Sequence, residues 1–219
     1  KVRGDDFGGH FINGISMADS ESFWKCRLVS ADDEKNVYES SDGYKITAYH
    51  IKKGDVYECY TVFENNGDKT VTLDMISSFA ITDIDADTLH RATSFWSAEG
   101  KMLRQKLTEL NMERSWSGHG IRIEKFGQVG SMPVRKWFPF VAVENSDKNE
   151  FIGVQLYCPS SWQIELFRYK EPLTLLGGLA DFDYGHWCKE ILPCENFTTP
   201  KAVVAVGDSL LEVCDMLVK

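Results

Sequence analysis

Apolar and polar residues alternate at every second position through much of this 219-residue chain. Side chains of a β-strand point alternately to its two faces, so this period predicts strands that are buried on one face. One strand is predicted over residues 71–81, with a core face made of Val71, Leu73, Met75, Ser77, Phe79 and Ile81. The segment 57–63 shows the same pattern, and the chain is therefore predicted to be all-β.

Turn sequences divide these strands at short intervals. They read Ser-Asp-Gly at 41–43, Lys-Gly-Asp at 53–55 and Asn-Asn-Gly-Asp at 65–68. Asn and Gly tolerate the positive φ that tight hairpins need. Residues 36–82 are therefore predicted to form an antiparallel meander, with a hairpin at 65–68.

Further strands and one helix complete the predicted fold. Additional strands are predicted at 88–96, 101–113, 121–126, 140–144, 151–157, 162–168 and 173–176. The segment 101–113 fits a helix equally well, because its leucines are also spaced for one helical face. Residues 209–218 are predicted to form a helix with Asp208 as its N-cap. A dozen or more strands with one terminal helix predict a single large antiparallel β-sandwich for residues 1–219.

The charge of the chain narrows the classes of partner. The formal net charge is −9, and the lysines and arginines are scattered singly along the sequence. Without a basic stripe, neither nucleic acid nor an anionic membrane surface is an expected partner. A neutral ligand such as a sugar fits this balance. No apolar run reaches membrane-spanning length and Lys1 opens no signal-peptide pattern, so a cytoplasmic location is expected.

The sequence predicts neither a metal site nor a cofactor. Its six cysteines are too sparse for a disulfide scaffold and are predicted to be free thiols. His186, Cys188 and Cys194 lie close in sequence but lack the paired spacing of a zinc site. The acidic cluster at 83–87 is predicted to be an exposed loop, since it lacks the glycine and terminal glutamate of a calcium loop.

Motifs of an independent enzyme are missing from the sequence. A retaining glycosidase needs two carboxyl groups about 5 Å apart, and no such pair can be identified among the 33 acidic residues. Ser117 and His119 stand two residues apart, but no G-x-S-x-G elbow surrounds them. The chain by itself is therefore predicted not to be a catalyst.

Sugar recognition fits the sequence better than catalysis does. The segment 3–11 reads Arg-Gly-Asp-Asp-Phe-Gly-Gly-His-Phe and sets carboxylates beside aromatic rings. Sugars present C–H faces to aromatic rings and hydroxyls to carboxylates. The candidate substrate-binding residues are Asp5, Asp6, Phe7 and His10, and an ordinary polar loop is the alternative.

The run 115–145 combines aromatic residues with glycines, a proline and an arginine. Two strand-like pieces flank a loop with paired glycines and a proline, an arrangement that often carries binding residues. The glycines and the proline are expected to fix a tight loop. Trp137, Phe138 and Arg135 are predicted to shape this loop or an interface. Trp162, further along, is predicted to pack in the core instead of stacking on a ligand.

Several short motifs follow one another in an order that resembles a known family. They are Arg-Gly-Asp-Asp at 3–6, Ser-Ala-Glu-Gly at 97–100, Ser-Met-Pro at 131–133, Pro-Phe at 139–140, Ser-Trp at 161–162, the glycine-rich and aromatic stretch 177–187, and Leu-Pro-Cys-Glu-Asn-Phe-Thr-Thr-Pro at 192–200. Over essentially its whole length the chain resembles the N-terminal β-domain of the glycoside hydrolase family 36 α-galactosidases. Cys194 stands where glycine is usual and Pro-Ser-Ser at 159–161 replaces Ser-Gly-Asn, which indicates a divergent subgroup.

This resemblance implies a particular fold and a particular role for one aspartate. The fold would be a β-supersandwich related to galactose mutarotase. In the family it precedes a (β/α)8 barrel that holds an Asp nucleophile and an Asp acid/base, and such a barrel is expected after residue 219. In tetrameric members, loops of the β-domain reach a neighbouring active site, and the aspartate of the Gly-Asp segment touches the sugar. That role would fall on Asp5 or Asp6.

The function expected from the resemblance is that of a non-catalytic domain in an α-galactosidase-like retaining glycoside hydrolase. The domain would help to shape the α-galactoside site and an oligomer interface, and the isolated chain would be inactive. Its expected partners are its own C-terminal catalytic barrel, α-galactosides and further copies of the same protein. Two alternatives stay open: a free-standing carbohydrate-binding module and a purely structural assembly domain.

Overall fold

Antiparallel strands make up most of the chain in a computed structural model, which describes residues 1–6, 16–112, 121–169 and 173–219. The strands are β1 (Cys26–Ala31), β2 (Lys35–Ser40), β3 (Tyr44–Lys53), β4 (Val56–Asn65), β5 (Val71–Leu73), β6 (Ser77–Ile84), β7 (Thr88–Thr93), β8 (Met102–Lys106), β9 (Ile121–Gln128), β10 (Trp137–Asn145), β11 (Glu150–Tyr157), β12 (Trp162–Tyr169), β13 (Leu173–Leu179), β14 (Lys189–Ile191), β15 (Asn196–Thr198) and β16 (Lys201–Gly207). The helices are α1 (Glu21–Trp24), α2 (Phe182–Gly185) and α3 (Leu210–Leu217).

These strands form two main sheets and a small ribbon. The large sheet has ten strands in the order β1-β2-β3-β4-β16-β11-β10-β7-β8, with β15 paired to β4. The small sheet has four strands in the order β6-β13-β12-β9, and β14 pairs with β5 in the ribbon. The predicted all-β class and the antiparallel sandwich are confirmed.

The main core lies between the two sheets. The small sheet contributes Phe79, Ile84, Phe126, Trp162, Ile164, Leu166, Leu173 and Leu175, and the large sheet contributes Leu89, Val141, Val143, Val154, Leu156, Ala202 and Val204. On β12, Trp162, Ile164 and Leu166 recur at every second position and are fully buried, as the alternation predicts. The expectation that Trp162 packs in the core is confirmed.

Strand β10 is buried on both faces because helix α3 covers the outer side of the large sheet. Val141 and Val143 face the inter-sheet core, whereas Ala142 belongs to a second cluster with Val213 and Leu217 of α3. The register places Ala142, Gly153 and Ala205 side by side on three neighbouring strands. These small residues leave room for the helix to lie close against the sheet.

We expect Gly153→Ala to destabilise the fold by about 1–3 kcal/mol, the usual range for overpacking. A Cβ at this position would lie 2.1 Å from Cγ1 of Val213, so the helix would have to move. Val213→Ala removes the colliding methyl groups and is expected to relieve part of this cost. Urea unfolding of the two single variants and the double variant measures the coupling, expected at about 0.5–3 kcal/mol. Strictly additive costs would contradict this packing.

The predicted strand 71–81 is wrong as one element, because the chain breaks it between Leu73 and Ser77. Asp74 lies at the break with a buried side chain that accepts hydrogen bonds from Arg3. Strand β5 then pairs with β14, whereas β6 pairs with β13. Consequently the meander prediction holds for β2, β3 and β4 but not for the strands after them.

The predicted hairpin at 65–68 does not join paired strands either. Asn65 is buried, and its side-chain amide donates to the carbonyl oxygens of Lys69 and Ile191. Its own backbone oxygen accepts from the Cys194 N–H at 2.8 Å. The turn therefore connects β4 to a distant part of the chain, a partnership that local turn chemistry does not reveal.

Other boundaries differ from the predictions in smaller ways. In the described part of the segment 101–113, residues 101–112, only Met102–Lys106 forms a strand and turns follow it, so the helical alternative is wrong. The N-cap of α3 is Ser209, not Asp208, since the Ser209 hydroxyl accepts from the Glu212 N–H. The short helices α1 and α2 were not expected. Within the described residues, no helix has both the length and the apolar character that crossing a membrane requires.

Candidate functional site

Asp5, the first of the two candidate aspartates, is held by neighbours within the fold. Its carboxylate accepts from the Ser22 hydroxyl and from Nζ of Lys25, the latter at 2.6 Å. Its side chain is only 8% exposed. Burial alone would raise the pKa of Asp5, but the bonds to Lys25 and Ser22 outweigh burial and lower that pKa. Asp5 is thus an ionised residue that anchors the N-terminal segment to α1 and the residue after it.

Asp6 has the opposite environment. It is exposed, and only its backbone is engaged: its N–H donates to a Glu21 carboxylate oxygen and its carbonyl accepts from the Glu21 N–H at 2.8 Å. No partner for its carboxylate occurs among the described residues. Of the two aspartates, Asp6 therefore has the carboxylate that a ligand can reach. Phe7 and His10, the other two substrate-binding candidates, lie outside the described residues.

Helix α1, whose Glu21 is bonded to the Asp6 backbone, carries two exposed aromatic side chains. Phe23 is 63% exposed and Trp24 is 66% exposed, and their rings meet edge to face with centroids 5.2 Å apart. Glu21, which holds the Asp6 backbone, begins the same helix. This pair was not among the predicted site residues, although two adjacent aromatics outside any alternating strand are a usable signal. We refer to Asp6, Phe23 and Trp24 as the N-terminal corner.

The three residues of the run 115–145 expected at an interface do not share one surface. Trp137 is half-buried, with its ring centroid 5.7 Å from that of Phe126. Phe138 packs on the other side of the sheet, in the cluster under α3. Arg135 is exposed and has no partner within the described part of the chain. The rest of this run, including Trp116 and His119, falls partly outside the described residues.

A buried group of charges on the small sheet was not predicted. Nζ of Lys125 lies 2.8 Å from Asp181 and 3.3 Å from Glu165. The side chains of Glu165 and Asp181 are 1% and 0% exposed. Gln163 and Glu165 occupy alternate positions on β12 that predict an exposed face, but other parts of the chain cover them. Ser16 donates to Glu165, and Asp181 is the N-cap of α2.

This buried group does not have the properties of a glycosidase pair. Burial raises the pKa of Glu165, as a general acid requires, although Lys125 acts in the opposite direction. However, both carboxylates are closed to solvent and both are bonded to the same lysine. Asp181 is further held by the Gln163 amide and the Tyr184 N–H. We therefore assign these residues a structural role.

The acidic cluster at 83–87 neutralises lysines. Asp85 lies 3.1 Å from Nζ of Lys148, and Asp87 lies 2.9 Å from Nζ of Lys106. Hydrogen bonds from Thr88, Lys106 and Ser146 lower the pKa of Asp87 well below its ordinary value, although burial raises it. In the parts of the chain that the structure describes, no group of three His, Cys, Asp or Glu residues could hold a metal ion.

Comparisons with known proteins place the fold. No family model matches the sequence, and no curated protein matches it either. Among solved structures, the family 36 α-galactosidase AgaA from Geobacillus stearothermophilus aligns with a TM-score of 0.66 and 18% identity over 84% of this chain and 25% of its own. AgaB from the same organism aligns with a TM-score of 0.66 and 17% identity, over 87% of this chain and 27% of its own. The α-galactosidase from Lactobacillus brevis aligns with a TM-score of 0.63 and 14% identity, over 83% of this chain and 24% of its own.

At sequence identities of 14–18%, the similarity between this chain and these enzymes is a similarity of fold alone. The chain spans about a quarter of the length of each of these enzymes, while they account for most of its own length. The match therefore covers one part of each of these enzymes, in agreement with the resemblance seen in the motifs. This chain has the fold of a β-domain that forms about a quarter of the family 36 α-galactosidases.

Proposed function

We propose that the chain is a non-catalytic domain of an α-galactosidase-type retaining glycoside hydrolase. It would help to shape the α-galactoside site and take part in an oligomer interface. The observation that carries the proposal is the fold match, which covers 84% of this chain but only 25% of an α-galactosidase. Such a ratio is what a single domain of a larger hydrolase should give.

The N-terminal corner supports a role at a sugar. Asp6 offers a carboxylate that can accept bonds from sugar hydroxyls, and the exposed rings of Phe23 and Trp24 can cover a C–H face. Asp5 serves the same purpose indirectly, because its bonds to Ser22 and Lys25 hold the backbone that presents Asp6. We therefore propose Asp6 as the residue that faces the sugar, with Asp5 as a positioning residue.

Catalysis in this proposal belongs to a barrel elsewhere in the protein. The two buried carboxylates of the small-sheet charge group, Glu165 and Asp181, are both bonded to Lys125 and closed to solvent. The 219-residue chain alone is expected to release no aryl group from an aryl α-galactoside. The reading frame that encodes it should also encode a (β/α)8 barrel with two aspartates at strand ends.

We expect Asp6→Ala, introduced into the complete enzyme, to lower kcat/KM for an aryl α-galactoside about 10- to 100-fold. A hydrogen bond to a charged group contributes about 1.5–3 kcal/mol, and each 1.4 kcal/mol corresponds to a factor of ten. Steady-state kinetics measures this effect. Asp68→Ala is a matched control, because Asp68 is also exposed and its carboxylate has no hydrogen bond or ion pair among the described residues. Unchanged kinetics in Asp6→Ala would instead favour a purely structural assembly domain.

A further inference from the structure

A groove of about 470 Å³ opens where β9 and the start of β10 meet α2. Two aromatic side chains line it, Trp137 from β10 and Tyr184 from α2, and both are half-buried. Its polar lining includes Glu124, Lys136 and Arg91. These residues come from three distant parts of the sequence and meet only in the folded chain.

The Trp137 ring is held in place by Arg91 and Phe126, which pack against it. The Arg91 guanidinium lies 4.7 Å from the Trp137 ring centroid and 5.2 Å from that of Phe126. Arg91 is itself buried and held by Gln105 and by Glu124, the latter at 2.6 Å. A ring that is already immobilised loses little entropy when a ligand stacks on it. The groove therefore offers a rigid aromatic wall.

Three polar groups in the groove keep unused hydrogen-bonding capacity. One oxygen of Glu124 accepts from Arg91, and the other has no partner among the described residues. The Tyr184 hydroxyl also has no hydrogen-bond partner among the described residues. The ammonium group of Lys136 pairs with no described carboxylate and lies 5.3 Å from the Trp137 ring centroid. The groove thus presents an acceptor, a donor and a hydroxyl that can do either.

The charges of the groove argue against an anion as its ligand. Of the three cations in the groove lining, Arg91 is paired with Glu124, Lys125 is paired with Glu165 and Asp181, and only Lys136 pairs with no described carboxylate. The free oxygen of Glu124 would repel a phosphate or a carboxylate. A ligand that satisfies both the rings and the polar groups must carry C–H surface and neutral hydroxyls together.

We propose that this groove binds a neutral saccharide, with Trp137 and Tyr184 against its C–H surface and Glu124 and Lys136 on its hydroxyls. The proposal uses only residues of this chain and does not depend on Asp6 or on the activity of a larger enzyme. It assigns a binding role to part of the run 115–145, which the sequence predicts to shape a loop or an interface.

Titration of the 219-residue chain with raffinose and stachyose, followed by NMR, tests the proposal. The indole N–H signal of Trp137 is expected to shift with a Kd of roughly 1 mM, a typical weak affinity near −4 kcal/mol. Tyr184→Phe keeps the ring and removes the hydroxyl, and we expect it to weaken binding about fivefold. Glu124→Gln is expected to weaken binding about tenfold. Trp96→Ala is the control, since Trp96 is exposed and lies outside the groove lining.

Three results would overturn the groove assignment. The first is a Trp137 signal that stays unchanged at the highest sugar concentrations. The second is sugar binding that Tyr184→Phe and Glu124→Gln leave intact, which would move the site elsewhere on the chain. The third is a shift produced by inorganic phosphate but not by raffinose, which would make the groove an anion site. None of them bears on the kinetic test of Asp6, so the two proposals can fail separately.

Discussion

Lys125→Met is expected to destabilise the fold by about 3–5 kcal/mol at pH 7, the range for removing one partner of a buried ion pair. Methionine keeps much of the side-chain volume but removes the only cation that bridges Glu165 and Asp181 in the described structure. Both carboxylates would stay in a site closed to solvent without a compensating charge. They can avoid this cost only by taking up protons or by unfolding.

The pH dependence of this loss follows from the pKa of Glu165, which burial already raises above its ordinary value of 4.5. A carboxyl whose pKa is higher in the folded than in the unfolded state binds more protons when folded, so stability falls as pH rises from the unfolded pKa through the folded pKa. Without Lys125 the folded pKa rises further, and this window extends toward neutral pH. The deficit of Lys125→Met should therefore be smaller at pH 5 than at pH 8.

Urea unfolding of the wild type and Lys125→Met at both pH values measures this difference. Lys148→Met is the matched control, because Lys148 and its partner Asp85 are both more than half exposed. Exposed ion pairs contribute about 0–1 kcal/mol, so this variant should lose little at either pH. A Lys125→Met loss no larger than that of the control, or a loss equal at pH 5 and pH 8, would refute the assignment of a buried charge group.

Trp162→Ala is expected to cost about 3–5 kcal/mol, the range for truncating a large buried aromatic side chain. Trp162 is fully buried between the sheets, with its ring edge to face against Phe126. Its indole N–H also donates to the backbone oxygen of Pro133 at 2.6 Å. The residue therefore ties the loop after β9 to the core.

Trp162→Phe separates the two contributions. Phenylalanine keeps an aromatic ring in the core but leaves the Pro133 oxygen without its donor, at a cost of about 1–3 kcal/mol. Urea unfolding should rank the wild type, Trp162→Phe and Trp162→Ala in order of falling stability. Amide hydrogen exchange of residues 129–136 should be faster in both variants. Equal losses in the two variants would mean that packing volume in the core has no measurable role.

Local patterns predicted elements that bury one face in a hydrophobic core cluster. The strands β11, β12 and β13 and the helix α3 lie close to their predicted ranges. Their spacing reflects contacts that repeat along a single element. The split of the segment 71–81 was missed for the opposite reason. Asp74 interrupts an apparently regular alternation because it bonds Arg3, which is far away in sequence.

The polar residues on β12 show the same limit. Gln163 and Glu165 alternate correctly for an exposed face, yet both are buried. Their burial depends on Ser16 and on the N-cap Asp181, which come from other parts of the chain. The residue pattern within one strand does not show which other parts of the chain cover its faces after folding.

The pair Asp5 and Asp6 illustrates the difference between what the sequence predicts and what only the tertiary structure shows. The sequence by itself determined an all-β chain and its main core strands, and it predicted an N-terminal segment with two adjacent carboxylates as sugar-binding candidates. Only the tertiary structure separated them, by placing Ser22 and Lys25 on Asp5 and leaving Asp6 exposed. Only it brought Trp137, Tyr184 and Glu124 to one groove. The physical reason is that strand periodicity arises from neighbours in the chain, whereas burial and ion pairing depend on residues that meet through folding.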